Sequence, residues 1–133
     1  MELNKSLIKA DMIAARQAIE YYEQKGIEQK GIKEIKNIAA YHLQQAAEKL
    51  VKYQIYQSLG SADNRRMYTH DLSKLLDYAE AEGLALIVPD YIKDHANQIT
   101  DWEAGSRYDF GFVCRIDTLK KCCESIEEWE KQV

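Results

Sequence analysis

Over residues 32–59 the side chains Ile35, Ala39, Leu43, Ala46, Leu50 and Tyr53 recur at intervals of three and four. A period near 3.6 held for that many turns demands one long amphipathic helix, because a strand would alternate every second residue. Such a stripe needs other helices to shield it from water, and the rest of the chain offers them. Residues 4–24 carry Leu7, Ile8, Met12, Ala15, Ala18, Ile19 and Tyr22 at helical spacing, and Gly26 and Gly31 bracket the turn that follows. The run Gly-Ser-Ala-Asp-Asn at 60–64 ends the long helix. A third helix is expected near Thr69, its candidate cap, with Asp71 in the first turn, Leu72, Leu75, Leu76 and Ala79 on the buried side, and Gly83 at its end. Pro89 suits the first turn of a fourth, whose stripe is Val88, Ile92, His95, Ile99 and Trp102. Residues 103–108 read as a loop leading to Asp109, the expected cap of a fifth helix carrying Phe112, Ile116, Leu119, Cys123 and Ile126. Only 84–88 has strand character. With six glycines and one proline in 133 residues, the chain is expected to form one domain, 1–133, an all-α antiparallel up-and-down bundle of four to five helices.

Charge narrows the possible partners. A formal net charge of −4 excludes a broad surface for coating nucleic acid. The distribution is uneven, however: residues 49–74 hold Lys49, Lys52, Arg65, Arg66 and Lys74 against Asp63 and Asp71, which leaves room for a local anion site. The acids Glu124, Glu127, Glu128 and Glu130 have no histidine at ligand spacing, so they read as a solvated face and no metal site is expected. Cys114, Cys122 and Cys123 are odd in number, two of them adjacent, which fits neither a disulfide framework nor a zinc site; they are expected as small apolar fillers on the last helix. His42 and His95 are expected to be packed. No apolar run is long enough for a bilayer, and the opening Met-Glu-Leu-Asn-Lys lacks a signal-peptide pattern, so a cytoplasmic chain with no membrane contact is expected.

On the central helix, Gln44, Gln45, Glu48, Lys49 and Lys52 fall opposite Leu43, Ala46, Ala47 and Leu50, and periodicity alone makes them a solvated face. Their residue types say more. "AYHLQQAAEKLVKYQIY" at 40–56, "HDLSKLL" at 70–76 and "SRYDF" at 106–110 together resemble the HEPN domain family. The matching positions are Gln44, Gln45, Ala46, Ala47, Glu48, Lys49 and Lys52, then His70, Asp71 and Leu72, then Arg107 and Tyr108.

The resemblance implies an all-helical bundle that commonly dimerises and is found alone or beside a small nucleotidyltransferase. It implies a nucleotide or another phosphate-bearing ligand, with RNA among the candidates, and no cofactor. Arg65, Arg66, His70, Lys49 and Lys52 would then cradle phosphate, with Arg107 and Tyr108 as further ligand contacts. Gln44, Gln45 and Glu48 are signature positions of the helix. One branch of the family consists of metal-independent ribonucleases of toxin-antitoxin systems, marked by an arginine and a later histidine with four to six residues between them. Arg65 and His70 have that spacing. Arg66, however, stands where Asn, Asp or His is usual, and the pair precedes the third helix rather than the last. His70 is therefore assigned to the His-Asp-Leu block, and Arg65 with His70 is catalytic only under the ribonuclease alternative. A purely structural partner of a neighbouring enzyme is the third alternative. At a helix start, His70 is expected neutral beside an anion. Tyr41, Tyr53, Tyr56 and Tyr68 could stack on a base or form a dimer seam.

Overall fold

The long stripe forms the longest helix of the chain, and the other helices are arranged around it. The computed structural model describes residues 5–25, 32–60, 64–108 and 112–133. Among the described residues there are seven helices and no strand: α1 (Lys5–Lys25), α2 (Ile32–Leu59), α3 (Asn64–Met67), α4 (Leu72–Ala81), α5 (Asp90–Asp94), α6 (Ala96–Tyr108) and α7 (Ile116–Gln132). The glycine-bracketed turn after α1, residues 61–63 and Asp109 lie outside the described residues.

Ala39, Ala40, Leu43, Ala46, Ala47, Leu50, Val51 and Ile55 of α2 are all fully buried, so this helix is covered on more than its predicted stripe. Its four alanines permit that, because a methyl group lets neighbouring backbones approach closely. α1 lies antiparallel to α2: Lys5 Nζ sits 5.2 Å from the Tyr53 ring, and Lys36 Nζ sits 5.2 Å from the ring of Tyr22. α7 runs antiparallel to α1, with Lys5 Nζ donating to the Val133 carbonyl (2.6 Å), Arg16 paired with Glu127, and Lys120 with Glu23 (2.9 Å). α4 and α6 meet where the Leu72 N–H donates to Thr100 Oγ1 (3.0 Å) and Ser73 Oγ to Asn97 Oδ1 (2.7 Å).

Several boundaries differ from the sequence expectation. The cap of α4 is Asp71 rather than Thr69: the Asp71 carboxylate accepts the Lys74 N–H at 3.2 Å, while Thr69 Oγ1 accepts the Asp71 N–H at 3.1 Å and shapes the turn before it. A charged acceptor at the positive helix end prevails over a hydroxyl. Gly83, at φ +69°, ends the helix and lets the Leu84 N–H return to the Ala79 carbonyl at 2.9 Å. The expected fourth helix breaks at His95 into α5 and α6. The His95 ring stacks on Tyr91 at 4.2 Å, and its Nδ1 lies 2.7 Å from the Tyr91 carbonyl. Ile92, Ile99 and Trp102 stay buried across the break.

Residues 103–108, expected as a loop, continue α6, and α7 begins only at Ile116. Gly105 is tolerated inside α6 because the Phe112 ring fills its side-chain space; a Cβ there would lie 2.7 Å from Phe112 Cδ2. Residues 84–88 are extended but pair with no strand. Instead, Gln54 Nε2 donates to the Ile87 carbonyl (2.9 Å), Gln54 Oε1 accepts the Ile87 N–H (2.8 Å), and Trp129 Nε1 donates to the same carbonyl (2.5 Å). The three cysteines are buried and free, although Cys114 precedes α7 rather than lying on it. Burial pushes the Cys114 thiol up to about 11 and raises those of Cys122 and Cys123 as well.

Replacing Ala47 with Leu tests the close approach of helices at α2. Leucine is nearly as good a helix former as alanine, yet overpacking a filled core costs about 1–3 kcal/mol. Urea denaturation of Ala47→Leu should show that loss of stability, with no loss of helicity in an isolated 32–59 peptide.

Candidate functional site

Positions 44, 48 and 52 form one line along α2, four residues apart, and they do not face solvent. Gln44 is fully buried, Glu48 is 5% exposed and Lys52 is 7% exposed, whereas Gln45 and Lys49 are half-buried. This corrects the solvated-face expectation. The turn leading into α4 and the last turns of α6 cover the polar side of α2, a second layer that helical periodicity does not report.

Glu48 is the hub. Its Oε1 accepts from Gln44 Nε2 (3.0 Å) and lies 2.8 Å from His70 Nδ1; its Oε2 accepts from Lys52 Nζ (2.9 Å). Gln44 Nε2 also donates to the His70 carbonyl (3.1 Å), and Gln45 Nε2 donates to Gln44 Oε1 (2.8 Å). On its far side, His70 Nε2 lies 3.9 Å from Glu103 Oε1. Glu103, itself buried, is paired with Arg107, whose Nε also donates to the Glu103 carbonyl (3.2 Å). The Arg107 guanidinium covers the Tyr41 ring at 5.2 Å. Burial by itself pushes the Glu48 carboxyl up, but hydrogen bonds from Gln44, Lys52 and His70 and the Lys52 charge outweigh it, and the net shift is downward.

A second buried acid sits close by. Asp11 of α1 receives Lys49 Nζ on Oδ2 (2.5 Å) and holds His42 Nδ1 at 2.8 Å from Oδ1. The ammonium groups of Lys49 and Lys52 are therefore both engaged by carboxylates. Arg65, Arg66, Tyr68, Thr69, Lys74 and Asp77 line a separate hollow of about 320 Å3 on α3, α4 and the turn between them. Arg66 stacks on the Tyr78 ring at 4.7 Å, and Tyr68 is 70% exposed. His70 is not part of that lining; its ring, 59% exposed, is drawn against Glu48 and Glu103 instead. The start of α4 at Leu72 also leaves His70 outside the helix, ahead of the cap. The side chain of Tyr108 lies outside the described residues. Among the described residues no cluster of His, Cys, Asp and Glu has metal-binding geometry, and no helix is long and apolar enough to cross a membrane.

The site thus joins Gln44, Gln45, Glu48 and Lys52 with His70 and Arg107, three blocks far apart in sequence. It places Arg65 and Arg66 on a neighbouring surface. Sequence reading missed Glu103 and Asp11. Glu103 precedes Arg107 by four residues, an ion-pair spacing hidden by reading 103–108 as a loop. Asp11 interrupts the apolar stripe between Ile8 and Met12, and an acid on a core face calls for a partner.

An all-helical chain built around a buried polar cluster on its central helix defines the class. The sequence matches the HEPN domain across residues 9–132, and the chain belongs to that family. No curated protein and no solved structure matches it.

Removing the hub strands a buried cation. Glu48→Ala leaves Lys52 buried and unpaired, and breaking such a pair costs about 3–5 kcal/mol; replacing both residues by Leu and Met should restore most of that stability in thermal unfolding. The pH dependence has a definite sign. Because the folded pKa of Glu48 lies below its ordinary value of 4.5, its contribution is full above that pH and is lost as pH falls through the folded value. Stability measured against pH should fall less steeply on the acid side for Glu48→Gln than for the parent.

Proposed function

We propose that this HEPN chain is a binding module for a nucleotide or other phosphate-bearing ligand, held at the hollow of Arg65, Arg66 and Lys74 beside His70. The observation that carries this reading is the concentration of two guanidinium groups and one ammonium group against the single acid Asp77 around an open hollow. Arginine presents paired donors in the geometry a phosphate accepts, and an exposed tyrosine offers a face for a base. In this reading, Arg65, Arg66 and Lys74 meet the phosphate. Lys49, Lys52 and Arg107 act one step back by balancing Asp11, Glu48 and Glu103, and Tyr108 closes the ligand set suggested by the family signature. Homodimerisation and partnership with a nucleotidyltransferase belong to the same proposal. Sedimentation of the pure protein tests the first, and co-purification with a candidate nucleotidyltransferase tests the second. In thermal melts, ATP should raise the midpoint of the parent protein in a concentration-dependent way. The Arg65→Ala/Arg66→Ala double variant should lose that rise, read against its own ligand-free midpoint, which falls with the loss of the Arg66–Tyr78 stacking. An equal rise in the variant would move the ligand elsewhere.

A metal-independent ribonuclease is the second reading, favoured by the pairing of His70 Nδ1 with buried Glu48. A ring fixed at Nδ1, with Nε2 beyond hydrogen-bond reach of Glu103 at 3.9 Å, can serve as a general acid or base. Against it stands the separation of the Arg65 hollow from the His70 ring. Incubating single-stranded RNA with the parent and with His70→Ala separates the readings: cleavage that vanishes in the variant selects the nuclease, and intact RNA in both selects the binding module.

A further inference from the structure

The segment 84–88 is extended, pairs with no strand, and has one edge in use. Gln54 serves as its neighbour on the inner side, giving and receiving a hydrogen bond at Ile87 as the main chain of an adjacent strand would, and Trp129 adds a third bond there. Successive residues of an extended chain turn their N–H and C=O groups to opposite edges. Leu86 therefore presents both of its groups on the outer edge, and among the described residues neither has a protein partner. The Leu84 N–H is already returned to Ala79, which closes the edge at that end. Side-chain exposure alternates accordingly: Leu84, Leu86 and Val88 are half-buried, while Ala85 and Ile87 are exposed.

Beside this edge is a hollow of about 490 Å3, within the size range of ligand sites. Leu76, Ala79, Leu84, Leu86 and Val88 make its apolar floor, with Glu80 following the α4 side and Lys93 the α5 side. Such a combination of free main-chain groups, apolar floor and opposite charges at two ends has one natural occupant.

We propose that residues 84–88 and the adjoining hollow dock an extended peptide of a partner protein, added antiparallel to the strand. The peptide places an apolar side chain in the hollow, an acidic residue toward Lys93 and a basic residue toward Glu80. Main-chain bonds to Leu86 supply the affinity, and the apolar and charged positions supply the selectivity. Docking here leaves the Arg65 hollow and His70 untouched, so this site stands independently of the proposed phosphate ligand.

The test uses acetyl-Glu-Val-Leu-Val-Lys-amide titrated into the intact isotope-labelled chain and followed by backbone amide NMR. The expected result is a shift of the Leu86 and Val88 amides together with Leu76 and Ala79, and slower hydrogen exchange at Leu86. Methylating the peptide's central backbone nitrogen should weaken binding about fivefold by removing one hydrogen bond. A Glu80→Lys/Lys93→Glu variant, changed only at two exposed positions, should prefer the charge-reversed peptide acetyl-Lys-Val-Leu-Val-Glu-amide. The proposal is overturned if those amides do not move at about 1 mM peptide, or if the methylated peptide binds equally well. It is also overturned if Leu86 becomes protected simply by raising protein concentration, which would make the occupant a second copy of the chain.

Discussion

A carboxylate removed from water is tolerable only when donors surround it, and Glu48 meets that condition with groups from two parts of the chain. Gln44 and Lys52 come from its own helix, and His70 comes from the turn ahead of α4. His70 in turn faces Glu103 of α6. The bonds are directional, whereas the apolar contacts around them are not. Leu43, Leu50 and Leu72 could pack in more than one register, but the Glu48 cluster admits only the register in which all its donors arrive. Buried polar groups have served that specifying role in other helical proteins, and its position midway along the central helix lets one cluster orient three elements.

Helix identity was legible in the sequence because the period of apolar residues reports it directly. The predicted span of the central helix agrees with α2, and the first helix runs one residue past its predicted C-terminal end. The errors fall where local chemistry and tertiary coverage compete. Thr69 and Asp71 are both good caps, and choosing between them required the Lys74 N–H. Gly105 looked like a loop residue until Phe112 gave it a packing reason. The family signature identified Gln44, Glu48, His70 and Arg107 as belonging together, yet it carried no information about burial. Asp11 and Glu103 were overlooked for the complementary reason: the partner of Asp11 lies in another helix, and that of Glu103 lies in a segment read as a loop.

Two acids, Glu48 and Asp11, divide the basic residues of the stretch 49–74 into two populations. Lys49 and Lys52 point inward and balance charge within the bundle, while Arg66 and Lys74 stand on the surface around an open hollow. Counting positive charges along residues 49–74 could not separate them, because a lysine engaged by a buried carboxylate and one beside a hollow look alike in sequence. An anion arriving from solution meets the second population first, and to reach the first it would have to displace a carboxylate already in place.

The buried cysteines have a use beyond filling space. Thiolate, the reactive form, is suppressed at neutral pH both by the raised pKa of the Cys114 thiol and by the enclosure of Cys122 and Cys123 in α7. An alkylating reagent therefore finds them only when the surrounding helices part. The chain carries its own clock for core opening: the rate at which Cys122 and Cys123 are labelled reads how often α7 leaves the bundle, with no residue changed.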